Sequence, residues 1–230
     1  MLILGVDTAT ALTTVAVCGA DGEVLASAEH RDPRHHAEAL PRLTRQAMAD
    51  AGISASEIRL VAAGVGPGPF TGLRVGVTFA RALAHALDIP VVGAVTLDVM
   101  ARAHPHPEGV TVVTRSRRVE AAWATYDDQA RRLEGPLILS DLDYPRRGRV
   151  IGDVDGVDVV AYPSAAVLCD LVRVRLAGGE PIPEDHEWPE DAATGTGEST
   201  ARALAAAASE GRLLLPALPL YLRRPDAVPA

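Results

Sequence analysis

Lysine is absent from this 230-residue chain; all 22 of its basic side chains are arginines, and asparagine is missing as well. The first absence excludes a Walker-type phosphate loop, a Schiff-base lysine and a lysine general base. The second excludes an N-linked sequon. Thirty carboxylates against 22 arginines leave a formal charge of −8, which argues against autonomous binding to a phosphate backbone, although a local arginine patch is still allowed. There are two cysteines, Cys18 and Cys169, in apolar stretches with no CxxC spacing. They read as two buried, reduced thiols rather than a disulfide or a metal site. The N-terminus has no basic n-region, and no apolar run approaches the ~20 residues a bilayer span needs, so the chain reads as cytoplasmic.

What is present reads as an α/β domain. Leu2–Val6, Leu12–Cys18 and Val24–Ala28 are predicted strands, the last two joined by Ala20-Asp21-Gly22-Glu23, a hairpin turn. A helix follows over Arg34–Ala51, with Ala37, Leu40, Leu43, Ala47 and Met48 on one apolar face and Gly52 beyond its end. Ile58–Val65, a glycine-rich loop, a helix to Leu87, a strand over Ile89–Ala94 and a helix over Thr96–Ala103 complete the first half. Three strands ahead of any helix do not fit a Rossmann unit; they fit a ribonuclease H-like half-domain. His104-Pro105-His106-Pro107 marks a boundary, because alternating prolines cannot continue a helix, and its two histidines lack the company a metal site needs. The second half reads as strands at 110–115, 120–127, 132–139, 149–152 and 157–161, then helices at 164–176 and 198–209 and an apolar tail. Residues 178–195 read as a mobile acidic loop, and no internal repeat is legible.

The glycine loop Gly66-Pro67-Gly68-Pro69-Phe70-Thr71-Gly72 sits where a dinucleotide fingerprint would. Pro67 and Pro69 each delete a backbone N–H that phosphate cradling uses, and the acidic residue expected after the next strand is missing. Beyond the loop, Gly72, Gly76, Ala80 and Ala84 recur every four residues on a helix that is apolar nearly all round. Such a helix is covered on both sides, by its own sheet and by a second helix or a partner. Adjacent His35 and His36 point roughly 100° apart on a helix and cannot both ligate one metal readily. Asp7, at the end of the first strand, stands where ATPases of the actin and sugar-kinase superfamily place a carboxylate, and also where ordinary turn chemistry would put one. Asp153, Asp155 and Asp158 around Gly156 lack an EF-hand register.

The chain resembles the TsaB (YeaZ) family through Ile3-Leu4-Gly5-Val6-Asp7-Thr8-Ala9-Thr10, Arg34-His35-His36-Ala37-Glu38 and, above all, Gly66-Pro67-Gly68-Pro69-Phe70-Thr71-Gly72-Leu73-Arg74-Val75-Gly76. The last is similar to the family's GPGSFTGLRxG, with Pro69 in place of serine. Pro219-Leu220-Tyr221-Leu222-Arg223 resembles its terminal motif. The match is strong over residues 1–103 and thin beyond. The resemblance implies a two-lobed ribonuclease H-like, actin/sugar-kinase/HSP70-like fold with a degenerate second lobe. Residues 1–104 would form the partner-binding lobe, and 105–230 a C-terminal lobe with an acidic insertion near 178–212. It implies a non-catalytic scaffold that activates TsaD in transferring a threonylcarbamoyl group to N6 of the adenosine beside the anticodon of ANN-decoding tRNAs, with no peptidase activity. The catalytic paralogue's paired metal-binding histidines correspond here to Thr96 and Met100, which cannot replace them. TsaD would pair with the N-terminal lobe through His36, Leu40, Leu43, Ala47, Gly72, Leu73, Gly76, Ala80 and Ala84. TsaE would join the assembled pair, the lone protein would form a homodimer by the same face, and tRNA would be met only in the complex. No catalytic residue, metal or cofactor of its own is expected, ATP and metal belonging to the partners. Asp7, Thr8, Gly66 and Gly68 would mark a vestigial nucleotide site with room for weak binding. The alternative is a small-molecule kinase or nucleotide-binding enzyme of the same superfamily, and a metallopeptidase ranks a distant third.

Overall fold

The computed structural model describes residues 1–117, 120–139, 144–184 and 197–222. Its first sheet is built from β1 (Leu2–Asp7), β2 (Leu12–Cys18), β3 (Val24–Arg31), β4 (Ile58–Gly64), β5 (Val91–Ala94) and β11 (Leu214–Leu215), in the order β11-β5-β4-β1-β2-β3. β1 pairs antiparallel with β2 and parallel with β4, and β4 pairs parallel with β5. The parallel centre needs cover on both faces, and alternation along the strands supplies an apolar face to each side. Leu4, Val6, Val15, Val17 and Val61 pack under α1 (His36–Asp50) and α2 (Phe70–Leu87). Ile3, Ala16, Cys18, Leu60 and Ala62 pack under α4 (Ala165–Ala177) on the reverse.

After α3 (Thr96–Ala103), a second sheet comprises β6 (Val110–Arg117), β7 (Glu120–Tyr126), β8 (Arg132–Leu139), β9 (Arg149–Gly152) and β10 (Val159–Val160), ordered β10-β9-β6-β7-β8. The connectivity of β1 to β5 is thus repeated by β6 to β10: a hairpin pair on one side of the founding strand, parallel strands on the other. Residues 153–158, where the first sheet has α2, are too short for such a helix, so the second lobe is the reduced copy. The repeat that sequence comparison within the chain did not reveal is topological. An apolar cluster between the sheets, including Val65, Leu73, Val77, Leu97, Met100, Val112, Tyr126 and Ile151, joins them around α3.

The expected helices and strands are present with small shifts. β3 runs on to Arg31, paired with Leu12, beyond the expected end at Ala28. The apolar tail after α5 (Gly197–Ser209) contributes β11, which pairs antiparallel with β5 through Leu214–Ala94 and Leu215–Gly93. No helix among the described residues is long and apolar enough to cross a membrane.

Most of the acidic loop, 185–195, lies outside the described residues. Its first carboxylate, however, has a structural task. Glu180 accepts hydrogen bonds from the backbone N–H groups of Leu213 (2.6 Å) and Leu214 (2.7 Å), and pairs with Arg175 Nε at 2.6 Å. It therefore ties the end of α4 to the start of β11. Glu180→Ala would strand both amides and remove the ion pair with Arg175, costing about 3 kcal/mol. A denaturant titration should show that loss, and Glu180→Gln should recover part of it.

Candidate functional site

The carboxyl edge of the parallel strands is where open α/β sheets place ligands, and here it carries Asp7. Its side chain is fully buried. Oδ1 accepts from the Ala9 N–H at 2.7 Å, and Oδ2 accepts from the Thr96 hydroxyl at 2.9 Å. Burial pushes its pKa up to about 6, against the lowering effect of those two bonds. Thr96 Oγ1 also accepts from the Gly66 N–H at 3.1 Å, and the Gly66 carbonyl accepts from the Thr96 N–H at 2.8 Å. The Thr8 hydroxyl donates to the Gly72 carbonyl at 2.7 Å. Asp7, Thr8, Gly66 and Gly68 therefore lie close together, around backbone rather than around an opening. A Cβ on Gly64 would overlap the Asp7 carboxylate, and one on Gly68 would overlap the Ala9 carbonyl. Gly66 has φ +92°, which favours glycine.

Ala9, Thr96 and Gly64 thus surround the Asp7 carboxylate, and the 66–69 loop lies on Ala9 and Thr96. A cavity beside that loop, lined by Pro67, Gly68, Phe70, Ser116 and Tyr221 among others, measures only about 40 Å³, room for little more than a water. Thr96 is committed to Asp7 and Gly66, and Met100 is fully buried between the lobes. No group of three or more His, Cys, Asp or Glu side chains converges among the described residues. Asp153 accepts from the Arg115 N–H and Asp158 from the Val150 N–H, so both carboxylates serve strand ends.

The expected partner residues lie elsewhere than on the surface. His36, Leu40, Leu43, Ala47, Gly72, Leu73, Gly76, Ala80 and Ala84 are all buried within this chain. Gly72 faces the Thr8 carbonyl and the His36 ring, and Gly76 faces the Thr8 hydroxyl, so that a Cβ on Gly76 would overlap it. Ala80 and Ala84 join Leu40, Leu43 and Ala47 in the core beneath α1 and α2. Burial lowers the pKa of His36, whose Nδ1 lies 2.7 Å from Thr13 Oγ1. The small-residue stripe is thus the side of α2 that approaches its own β1 and α1. The outer side carries Val75, Phe79, Leu83 and Leu87, half-buried, with Thr78, Ala82 and Ala86 exposed between them.

Two further clusters were not legible in the sequence. Phe70, Arg74 and Tyr221 stack together: the rings lie 5.1 Å apart, the Arg74 guanidinium carbon is 3.7 Å from the Phe70 ring centre, and Arg74 Nε donates to the Tyr221 hydroxyl at 2.6 Å. This joins the glycine-loop motif to the tail motif. The Leu220 N–H donating to the Val65 carbonyl and Arg81 donating to the Ala217 carbonyl hold the same tail. Between the lobes, buried Asp98 accepts from the Tyr126 hydroxyl at 2.7 Å and faces Arg132 Nε at 3.4 Å, joining α3 to β7 and β8. Phe70 and Arg74 are an i, i+4 pair on α2, but Tyr221 reaches them, and Asp98 reaches Tyr126 and Arg132, across long stretches of sequence with no spacing rule.

Two outcomes follow. Gly76→Ala should lower stability by about 2 kcal/mol through overpacking against Thr8; a stripe facing solvent would give no change in a thermal melt. Asp7 binds its proton more tightly when folded (about 6, against 3.8), so its contribution is full below pH about 4 and is lost as pH rises through about 6. This two-unit shift amounts to about 3 kcal/mol. In urea titrations, the stability of Asp7→Asn relative to wild type should rise by that order between pH 4 and pH 7.

The family model described as TsaD: tRNA N6-adenosine threonylcarbamoyltransferase matches residues 23–141, just over half of the chain. An uncharacterized protein of Mycobacterium tuberculosis is 36% identical over 232 residues, covering 99% of this chain and 94% of that protein. A Mycobacterium leprae relative, also uncharacterized, is 36% identical over 99% of this chain, which spans 56% of its length. The Escherichia coli tRNA threonylcarbamoyladenosine biosynthesis protein TsaB is 36% identical over 129 residues, 55% of each chain. Among solved structures, YeaZ from Pseudomonas aeruginosa superposes with a TM-score of 0.68 at 26% identity, covering 78% of this chain and 95% of that one. With the two-lobed fold and the motifs that seal its site, these matches place the chain: it belongs to the TsaB/YeaZ family.

Proposed function

We propose that this chain acts in the threonylcarbamoyladenosine modification of tRNA as a non-catalytic scaffold. In this reading it binds and activates TsaD, which transfers the threonylcarbamoyl group to N6 of the adenosine beside the anticodon of ANN-decoding tRNAs. The observation that carries the reading is the sealed edge at Asp7. A carboxylate whose oxygens are bonded within the chain, behind a backbone loop in contact with Ala9, has no free position for a metal or a phosphate. The site supports no chemistry of its own, so the protein's contribution is a surface.

That surface is the outer side of α2 with the adjoining part of α1, within residues 1–104. Val75, Phe79 and Leu83 sit at i, i+4 and i+8, and Met48 packs with them in the same apolar cluster. Exposed Arg42 and Arg45 on α1 and Arg74 on α2 lie on the flanks. TsaD would cover this face, TsaE would act on the assembled pair, and the protein alone would pair with itself through the same face. tRNA would be engaged only in the complex, in the cytoplasm, with ATP and metal supplied by the partner subunits.

The test is copurification followed by a reconstituted modification assay. Phe79→Arg combined with Leu83→Arg should reduce recovery of TsaD at least tenfold, abolish modification of the tRNA adenosine, and leave the thermal midpoint within a few degrees. Full retention of the complex would remove this face from the interface. Asp7-dependent turnover of Mg-ATP by the chain alone would instead support a kinase-like enzyme.

A further inference from the structure

Cys18 and Cys169 are 151 positions apart, and the fold seats them against each other. On the α4 side of the first sheet, the β1–β2 ladder presents two successive rungs, Gly5–Ala16 and Ile3–Cys18. Gly5 leaves a notch there: a Cβ at that position would lie 2.6 Å from Cys169 Sγ. The Cys169 sulfur occupies the notch, 3.8 Å from the Ile3 carbonyl oxygen and 4.0 Å from that of Ala16. Cys18, paired with Ile3 and two residues from Ala16, is the next side chain on that face, and both cysteines belong to the same apolar cluster. Cys18 ends its strand immediately before the Gly19–Gly22 turn and is 3% exposed, whereas Cys169 is completely covered.

We propose that Cys18 and Cys169 form a site of reversible covalent modification, an intrachain disulfide made under peroxide that pins α4 to β2. Hydrogen peroxide is the oxidant. The Cys18 thiolate attacks one peroxide oxygen, so that an S–O bond forms, the O–O bond breaks and hydroxide departs, leaving a sulfenic acid. The Cys169 thiol, having lost its proton to that hydroxide, then attacks the Cys18 sulfur. The S–S bond forms, the S–O bond breaks and a second hydroxide leaves, taking up the proton that the Cys18 thiol released. Two thiols and one peroxide become one disulfide and two waters. The order of attack follows the environments. Cys18 stands at the strand end beside the Gly19–Gly22 turn and is the more accessible of the two. Cys169, completely covered and seated against the same strand, is out of reach of the oxidant and can only resolve the sulfenic acid formed beside it. A cross-link closing so long a loop restricts the unfolded chain and raises stability.

The experiment treats the full chain with hydrogen peroxide, alkylates it under denaturing conditions and digests it without reduction for mass spectrometry. The expected product is a linked Cys18–Cys169 peptide pair lighter by two hydrogens, restored to free thiols by dithiothreitol. The oxidised protein should show an upward shift in thermal midpoint of several degrees. Cys169→Ala should stall at a Cys18 sulfenic acid that dimedone captures, and Cys18→Ser should leave Cys169 unoxidised. Two alkylatable thiols after peroxide, a sulfinic acid at Cys18 in the wild type, or only interchain disulfides would each overturn the proposal.

Discussion

One hydroxyl group holds the carboxyl edge of the first sheet together. Thr96 Oγ1 donates to Asp7 at the end of β1 and accepts from Gly66 after β4, while its own backbone follows β5. Three parallel strands are thereby tied at the end where related architectures open to a ligand. The close approach this knot enforces explains the glycines around it. Gly64 makes room for the Asp7 carboxylate, Gly68 for the Ala9 carbonyl, and Gly72 and Gly76 for the Thr8 residue that follows Asp7. A side chain at any of these would push a loop or helix away from β1 and break the bonds that close the edge.

The knot also sets directions. Because Thr96 is the first residue of α3, its bonds fix where that helix starts. α3 then carries Leu97 and Met100 into the cluster between the lobes and Asp98 to the Tyr126 hydroxyl. α2, held by the Thr8–Gly72 bond, presents Arg74 to Phe70 and Tyr221, so the tail closes over the same region. Keeping a carboxylate at Asp7 in this dry place works against stability near neutral pH, since its charged form is the one burial disfavours. Its geometric return is a pair of acceptors aimed at two different segments, an amide at Ala9 and a hydroxyl at Thr96.

The element order was legible in the sequence because the relevant signals are local. Asp21-Gly22 sets a hairpin, Gly52 stops a helix, and the prolines of 105 and 107 separate the halves. The seal at Asp7 was half legible: Pro67 and Pro69 argued against a phosphate cradle, but nothing local could indicate that the loop would lie on Ala9. The orientation of α2 was not legible. A helix apolar on two sides gives a periodicity that fits either orientation, and only the position of Thr8 shows that the small-residue stripe faces inward. The contacts of Cys18 with Cys169, Phe70 with Tyr221 and Asp98 with Arg132 depend on how distant segments meet. The repeated strand order leaves no trace in the sequence because it is a repeat of connections and not of residues.

The two sides of α2 differ in a way that physical chemistry can rank. Where a backbone must approach another backbone, side-chain volume is a direct obstacle, so the inner side is Gly, Gly, Ala and Ala at four-residue steps. Where a surface must be covered by something that arrives later, larger side chains that bury more area on contact are the useful ones, and the outer side has Val75, Phe79 and Leu83. Phe79 matters most in that comparison: with two phenylalanines in the whole chain, one lies at the rim of the sealed loop and the other stands half-exposed on a helix. Folding uses only part of that ring: Phe79 packs against the rim of the core beneath α2 and stays half-buried. The area it leaves open is what the proposed partner contact would cover, so in that proposal the outer stripe, and not the glycine stripe, is the face that meets the partner.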